Sequence, residues 1–375
     1  MSHAVVETVR LAPGGDAVGR EVEGAHAGRV TFVPLAAPGE RVRVRLTRQK
    51  PRAAWADLVS VERASPARVS APCPLFGSCG GCQWQHVARP AQLAAKGAIV
   101  ARALAGPIDG VIAASADYGY RDRARLTVGR GGALGFLARR SHDVVDVAAC
   151  PLLGPELQAA LPAVRAAARA AQLPAGAAVH VQAGGDGVAA NVRDGAGRLM
   201  AEVDVAEPGS PPLRAPAGAF AQVGRVANRA LVRAVLDAVG PAPGRVIELY
   251  AGSGNFTRHL VALSDDVNAA DGDAGAVARG RINAPAARWH VGPVARSSPA
   301  PDVVVLDPPR VGADAAALAL AAAALRRIVY VSCDPQTLAR DARQLGAAGF
   351  RLVGAVALDL MPQTAHVEVV ATFER

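Results

Sequence analysis

The stretch "RVIELYAGSGNFTRHLV" at residues 245–261 decides the fold of the C-terminal part of the chain. It begins as an apolar strand, passes through Gly252-x-Gly254, and continues as a helix. Glycines at these two positions let the backbone approach a ligand closely, and they leave the N–H groups of the helix facing it. The stretch therefore predicts a ligand-binding loop between a strand and a helix of an α/β sheet.

Strands and helices alternate along the whole C-terminal segment, residues 216–375. The predicted strands are Val246–Tyr250, Asp266–Ala270, Val303–Leu306, Ile328–Ser332, Arg351–Leu358 and His366–Phe373. This alternation predicts a mostly parallel, doubly wound sheet.

Two carboxylates are placed to serve the glycine loop. Asp271 follows Gly254 by 17 residues and ends the next apolar strand, where a carboxylate is suited to a ribose diol. Asp307 ends a further strand in "VVVLDPPR". A dinucleotide would also fit such a loop, but the third glycine of the dinucleotide motif is missing, which favours S-adenosylmethionine.

Cys333 is predicted to lie at the carboxyl edge of this sheet. The hydrophobic strand "IVYVS" runs into it, and Asp334 and Pro335 then form an N-cap and a first helical position. The dipole of a helix beginning there lowers a thiol pKa, so the pattern predicts a nucleophile. The alternative is a small buried residue at the end of a strand.

The other four cysteines lie between residues 70 and 150. Cys73, Cys79 and Cys82 share a glycine-rich loop, and Cys150 is the available fourth ligand. An odd total of five argues against a disulfide framework. Four thiolates hold zinc or an iron–sulfur cluster, and a spacing unlike that of zinc ribbons favours [4Fe-4S]. The alternative is a set of buried free cysteines.

Short alternating patterns over residues 1–65, separated by Gly and Pro, predict a small antiparallel barrel. Arg41, Arg43 and Arg45 share one strand face, which is either a surface for backbone phosphates or a solvated outer face.

The charge distribution points to a polyanion partner. Residues 1–150 carry 20 basic and 12 acidic side chains, whereas the rest of the chain carries 21 and 20.

With 51% hydrophobic and 19% charged residues, the chain has the composition of a folded protein, not of a disordered one. Its longest apolar run, residues 315–325, is shorter than a membrane span. The first ten residues include the charged Glu7 and show no apolar core of a secretion signal. We expect a cytoplasmic protein.

Five ordered motifs resemble those of the S-adenosylmethionine-dependent RNA uracil-5 methyltransferases, which form 5-methyluridine. They are "FAQV" at 220–223, "ELYAGSGNF" at 248–256, "LDPPRVG" at 306–312, "YVSCDPQTLARD" at 330–341 and "PQTAHVEVV" at 362–370. The cysteine segment, with "YRDRARLTVG" and "VVDVAACPLL", resembles the iron–sulfur region of the ribosomal-RNA members. The opening barrel resembles their TRAM domain, an OB-like RNA-binding module, so the resemblance covers essentially the whole chain.

The resemblance implies a role for each matching residue. Cys333 would add to C6 of a flipped-out uracil, and Glu368 would remove the C5 proton. Five residues would contact S-adenosylmethionine: Gln222, Tyr250, Asn255, Asp271 and Asp307. The four remaining cysteines would ligate a [4Fe-4S] cluster, and Phe220 is a candidate to stack on RNA. The chain departs from the family at Gly224, where Asn is usual, and in a short Ala/Pro-rich region between Asp273 and Asp302 that lacks the usual carboxylate near the adenine.

Together these observations predict three domains. They are a TRAM-like barrel (1–65), a central α+β domain with the cysteines (66–215), and a Rossmann-like methyltransferase domain (216–375). The expected activity is methylation of a uridine in 23S rRNA by a monomer. The alternatives are a tRNA uracil-5 methyltransferase, a degenerate RNA-binding paralogue, and an enzyme with zinc in place of the cluster.

Overall fold

The computed structural model describes residues 2–23, 26–184, 187–193, 202–204, 213–216, 221–292 and 300–375. Its N-terminal part is a closed barrel with the strand order β1-β2-β3-β5-β4. The strands are β1 (His3–Leu11), β2 (Ala17–Glu23), β3 (Val30–Val33), β4 (Arg41–Gln49) and β5 (Ala53–Arg63). All neighbouring pairs are antiparallel except β3 and β5. The predicted barrel is therefore confirmed, with one parallel pair.

The arginine row on β4 does not present free cations. Val42, Val44 and Leu46 point into the barrel core, so the arginines between them face outward. Each arginine pairs with carboxylates on other strands of the barrel: Arg41 with Glu7, Glu23 and Glu62, Arg43 with Glu62, and Arg45 with Asp57. The row is thus a solvated outer face, as in the alternative above, and it is neutralised by its own neighbours.

The central part contains a five-stranded sheet in the order β11-β10-β7-β8-β9. Its strands are β7 (Arg123–Val128), β8 (Leu134–Leu137), β9 (Val144–Asp146), β10 (Ala178–Gly184) and β11 (Gly187–Arg193). Leu157 and Leu161 of the helix α2 (Pro155–Ala170) pack into the core of this sheet. A separate two-stranded ladder joins β12 (Glu202–Asp204) and β13 (Arg214–Pro216).

The C-terminal part is an eight-stranded sheet in the order β16-β15-β14-β17-β18-β20-β19-β6. The strands are β6 (Gly110–Ile112), β14 (Val246–Leu249), β15 (Val267–Asp271), β16 (Arg288–Val291), β17 (Val303–Leu306), β18 (Arg327–Ser332), β19 (Arg351–Leu358) and β20 (Glu368–Glu374). The helices are α1 (Arg89–Leu104), α3 (Arg225–Val239), α4 (Thr257–Leu260), α5 (Ala274–Asn283), α6 (Ala315–Ala321) and α7 (Pro335–Ala347). Within this sheet, β20 runs antiparallel to both of its neighbours.

Helices cover both faces of this sheet, as predicted. Alternate residues of the strands pack against α3 on one face and against α1, α6 and α7 on the other, since strand side chains alternate between faces. Both α1 and β6 come from the segment assigned by sequence to the central domain, yet β6 pairs with β19 at the sheet edge and α1 contacts α7. The division at residues 65 and 215 remains a prediction. No helix in the described ranges is both long and apolar enough to span a membrane.

Candidate active site

The glycine loop leaves β14 at the carboxyl edge of the sheet through a run of left-handed backbone. Tyr250, Gly252 and Gly254 have φ values of 59°, 55° and 90°. A Cβ on Gly254 would lie 3.2 Å from the Trp289 ring, so the close approach there favours glycine. Tyr250 adopts this conformation without being glycine, and such strain is concentrated at functional sites.

Asp271 lies against the glycine loop, where the sequence placed it. One carboxylate oxygen accepts a hydrogen bond from the Gly252 N–H at 2.8 Å, and the other accepts from the Asp273 N–H at 2.8 Å. The carboxylate therefore fixes the loop at the ends of β14 and β15, next to the position expected for a ribose.

Three carboxyl groups lie around this loop, those of Glu248, Asp271 and Asp307. The sequence analysis assigned no function to Glu248. Burial raises the pKa of Glu248 to about 8; Thr257, which donates to it at 2.5 Å, opposes this shift, and Asp307 and Asp271 add to it. Burial also raises the pKa of Asp307 to about 7. The raised pKa values keep Glu248 mostly and Asp307 partly protonated near pH 7, and a cation bound beside them would favour their ionised forms. The sequence does contain a sign that Glu248 is functional, because it is a charged residue inside the apolar strand "RVIELY".

Two of the predicted cofactor contacts bond to other protein groups. The Tyr250 hydroxyl donates to Asp314 Oδ2 at 2.9 Å and accepts from the Asp314 N–H at 3.0 Å. Asn255 and Asn228 exchange two side-chain amide hydrogen bonds of 2.8 and 2.9 Å, which join the loop to α3. A role for either residue toward a cofactor stays a prediction.

Gln222 lines a small pocket between the central sheet and the start of α3, together with Arg123 and Asn228. The departure at Gly224 has a steric reason, since a Cβ there would come within 2.1 Å of the Tyr120 carbonyl oxygen. Phe220 lies outside the described residues, as does part of the Ala/Pro-rich region, at 293–299.

Cys333 lies at the carboxyl edge of the sheet, directly before α7, as predicted. Asp334 caps this helix by accepting from the backbone N–H groups of Gln336 at 2.9 Å and Thr337 at 3.1 Å. The expected lowering of the thiol pKa is wrong for the ligand-free site. Burial raises the pKa of Cys333, Glu368 and Asp307 raise it further, and Arg310 only partly offsets them.

Glu368 reaches the same edge because β20 begins where β18 ends. Ser332 is paired with Val369, so Cys333 and Glu368 are adjacent to this pair on neighbouring strands. The Glu368 side chain is buried, and burial together with Asp307 raises its pKa well above the usual range of a carboxyl, while Arg310 lowers it. The proposed nucleophile and the proposed base are therefore brought together.

Arg310 is the cation that this cluster shares, and sequence reasoning gave it no role although it lies in "LDPPRVG". Its guanidinium contacts Nδ1 of His366 at 3.1 Å. Burial and Arg310 lower the pKa of His366 to about 4, so the imidazole is neutral and Nδ1 accepts from the guanidinium.

We expect the methylation rate to rise with pH through the neutral range and above it, because Cys333 and Glu368 both act in their deprotonated forms and both pKa values are raised. Arg310→Met removes the charge that favours these forms and should lower the rate at pH 7 about tenfold, with recovery at higher pH. Steady-state methylation of RNA as a function of pH tests this. Arg343→Met, on the exposed face of α7, should leave the profile unchanged; an equal loss at every pH in Arg310→Met would contradict the electrostatic explanation.

The segment leading to Glu368 is held by residues far away in sequence. Tyr120 donates from its hydroxyl to the Pro362 carbonyl at 2.9 Å, and the Trp84 N–H donates to the Gln363 carbonyl at 3.0 Å. The buried side-chain amides of Gln92 and Gln363 are 2.9 Å apart, and the Gln363 N–H donates to Gln92 Oε1 at 2.9 Å. Lys96 and Arg89 form ion pairs with the buried Asp359. Sequence gave no signal for these contacts.

Gln92→Ala should lower the free energy of unfolding by about 3 kcal/mol, because it leaves several buried backbone and side-chain groups without partners. Chemical denaturation measures this. The matched substitution Gln344→Ala, at an exposed position of α7, should cost less than about 0.5 kcal/mol. A similar small cost for both variants would show that the Gln92 contacts do not hold this segment.

The four remaining cysteines, Cys73, Cys79, Cys82 and Cys150, line one cavity. Burial raises the thiol pKa of Cys79, Cys82 and Cys150, and the value for Cys82 rises to about 11. These three thiols are therefore neutral without a metal. In the part of the chain that is described, no three His, Cys, Asp or Glu side chains are arranged to hold a metal ion. Arg121 lines the same cavity, and its Nε is buried without a hydrogen-bond partner.

Comparisons with known proteins identify the family of this chain. A model of the tRNA (uracil-5-)-methyltransferase family matches residues 294–375. The 23S rRNA (uracil(1939)-C(5))-methyltransferase RlmD of Thiobacillus denitrificans is 35% identical over 93% of this chain and 95% of its own. The same enzyme from Alkalilimnicola ehrlichii is 33% identical over 93% of each chain. The solved Pyrococcus abyssi tRNA (uracil-54, C5)-methyltransferase with S-adenosyl-L-homocysteine has a TM-score of 0.76, at 23% identity over 98% of this chain and 99% of that one.

The fold is that of an α/β methyltransferase, and the relatives show the class to be S-adenosylmethionine-dependent methyltransferases. The chain belongs to the family of RNA uracil-5 methyltransferases, which transfer the methyl group of S-adenosylmethionine to C5 of uridine. The predicted α/β methyltransferase fold with an N-terminal β-barrel and the predicted activity are confirmed.

Proposed function

We propose that this protein methylates C5 of a uridine in 23S rRNA, with Cys333 as nucleophile and Glu368 as base. The observation that carries the assignment of these roles is the pairing of β18 with β20, which brings both residues to one sheet edge beside Asp307 and Arg310. Both pKa values are raised, that of Cys333 by burial and by Glu368 and that of Glu368 by burial and by Asp307, and perturbed groups of this kind are typical of active sites.

The chemistry assigns one step to each group. The Cys333 thiolate forms a bond to C6 of the flipped uracil, which makes C5 nucleophilic. S-adenosylmethionine supplies the methyl group that C5 takes up. Glu368 then accepts the C5 proton, the C5–C6 double bond re-forms, and the bond between Sγ and C6 breaks. The Arg310 guanidinium stabilises the thiolate and the carboxylate in turn.

The cofactor would lie across the glycine loop at the carboxyl edge of the sheet. Asp271 would take the ribose hydroxyls. The sulfonium would lower the raised pKa values of Glu248 and Asp307 and would then be stabilised by their ionised forms. The remaining predicted contacts are Tyr250, Asn255 and Gln222. Tyr250 and Asn255 would act by maintaining the loop conformation, through their hydrogen bonds to Asp314 and Asn228.

The thiols of the cysteine cavity are the ligand type of an iron–sulfur cluster, although within the described residues they do not converge at metal-binding positions. Four thiols line the cavity, and the unpartnered Nε of Arg121 offers a buried cationic donor to an anionic group bound by thiolates. Cys73, Cys79, Cys82 and Cys150 would hold a [4Fe-4S] cluster, which would keep this segment in shape without a part in methyl transfer.

Cys150→Ser should remove most of the iron and the broad visible absorbance of anaerobically prepared protein, because one of four ligands is lost. It should also lower Tm by several degrees. Cys333→Ser, outside the cavity, should retain both iron and absorbance. Elemental analysis that finds zinc in the wild-type protein would replace the cluster by the zinc alternative.

The substrate is assigned from the relatives, whose names specify 23S rRNA at 33–35% identity over more than 90% of the chain. A tRNA substrate is the second candidate, since the matching family model carries that description. Unmodified 23S rRNA and tRNA transcripts, incubated with S-adenosylmethionine and analysed by nucleoside mass spectrometry, decide between them. Methylation of tRNA alone would change the substrate, and no methylation of either would favour the RNA-binding paralogue.

A further inference from the structure

Three planar groups form a row across the outer face of the barrel, beside the neutralised arginine row. Phe32 on β3 and Arg48 on β4 are both paired in register with Trp55 on β5, the strand between them. The Phe32 and Trp55 rings are stacked, with centroids 5.4 Å apart and an interplanar angle of 9°. On the other side of Trp55, the Arg48 guanidinium lies 4.8 Å from the ring centroid.

The tight turn that joins β4 to β5 adds two cations to this row. Its ends are tied by the Lys50 N–H, which donates to the Ala53 carbonyl at 2.8 Å, and Lys50 Nζ lies 6.0 Å from the Trp55 ring. Arg48, Lys50 and Arg52 are all exposed, and within the described ranges none of them pairs with a carboxylate. These three positive charges are therefore available, unlike those of Arg41, Arg43 and Arg45.

The same face continues toward the segment that carries the cysteines. Asp57 follows Trp55 by two residues and so points to the same side of β5. Arg139, from the cysteine segment, lies close to this face, because it forms an ion pair with Asp16 of the barrel. Burial and Arg140 lower the pKa of Arg139, whereas Asp16 and Asp57 raise it.

We propose that Phe32, Arg48, Lys50, Arg52 and Trp55, together the Trp55 surface, bind a single-stranded segment of the RNA substrate. One base would stack on the Trp55 face that the exposed Arg48 now covers, and the three cations would contact phosphates. Proteins that bind single-stranded nucleic acids without sequence preference stack the bases on aromatic side chains, while basic side chains contact the phosphate backbone. An acidic peptide would satisfy the charges but would leave the indole face unused. This inference depends on the proposed function only for the identity of the RNA.

Two triple variants with the same change in net charge separate this surface from its neighbour. They are Arg48→Gln/Lys50→Gln/Arg52→Gln at the Trp55 surface and Arg41→Gln/Arg43→Gln/Arg45→Gln in the arginine row. Binding of a 23S rRNA fragment and of a twelve-nucleotide oligouridine is followed by fluorescence anisotropy at several salt concentrations. The first variant should reduce the slope of log K against log salt by about 2, at about 0.7 per lost contact with a single strand. The second should leave the slope unchanged.

Stacking is tested separately with Trp55→Ala and Trp55→Phe. Trp55→Ala should weaken binding about tenfold at every salt concentration, and Trp55→Phe should restore most of it because a ring remains. RNA-dependent quenching of tryptophan emission should be lost in Trp55→Phe, although Trp84 and Trp289 are still present. The rate at saturating RNA should equal that of the wild-type protein in the variant of the arginine row.

Equal losses in both triple variants, or a loss confined to the arginine row, would overturn the proposal. Unchanged binding by Trp55→Ala would also overturn it. The proposed function fails in a different way: the wild-type protein would then bind oligouridine through Trp55 without methylating rRNA or tRNA. If rRNA is methylated and every variant binds like the wild-type protein, only the Trp55 surface is wrong.

Discussion

Cys333→Ala should abolish methylation of RNA, with a loss on the order of 10⁴-fold or more, the scale at which removal of a covalent nucleophile is felt. C5 of uracil is a weak nucleophile, and no other thiol is placed to activate it in the described part of the site, since the other four cysteines line a separate cavity. Denaturing gels of protein incubated with RNA and S-adenosylmethionine should show no covalent complex, and nucleoside mass spectrometry should show no 5-methyluridine.

The control for Cys333→Ala is cofactor binding. Cys333 follows β18, whereas the glycine loop follows β14, with β17 lying between these two strands. Affinity for S-adenosylmethionine, measured by calorimetry, should therefore stay within about twofold of the wild-type value. Methylation that persists at more than one hundredth of the wild-type rate would show that Cys333 is not the nucleophile.

Much of the site follows from the order of strands in the sequence. Asp271, Asp307 and Cys333 each come at the end of a strand, and the carboxyl ends of parallel strands meet at one edge, so the sequence alone predicts that the three lie together. Glu368 is different, because it begins a strand. It reaches the same edge only because β20 runs antiparallel to β18, and that pairing could not be predicted from local pattern.

Other features depend on contacts that no local pattern encodes. Gln92 and Gln363 are 271 positions apart, and their pairing requires α1 to pack beside the segment that leads to Glu368. The arginine row on β4 was recognisable in sequence, but its neutralisation depends on the register of β4 against β1 and β5. The pKa of Cys333 was misjudged for the same reason. The helix N-terminus is local and was predicted, whereas the burial and the carboxylates that outweigh it come from other strands.

Glu368→Gln should halt the reaction after methyl transfer, so that protein accumulates joined to RNA through Cys333. The substitution keeps the size of the side chain but removes the base, and without a base the C5 proton stays and the bond between Sγ and C6 cannot break. Turnover should fall by 10²- to about 10⁴-fold, the range expected for loss of a general base, while the first methyl transfer remains detectable in single-turnover assays.

The matched control for Glu368→Gln is Glu374→Gln, at the far end of the same strand, where the carboxylate pairs with Arg327 instead of the site. It should turn over at the wild-type rate and leave no adduct. Digestion of the trapped Glu368→Gln complex should yield a peptide with a methylated uridine on Cys333. Turnover that falls without any adduct would instead assign Glu368 to a step before methyl transfer, such as removal of the thiol proton, for which its raised pKa and its position beside Cys333 also suit it.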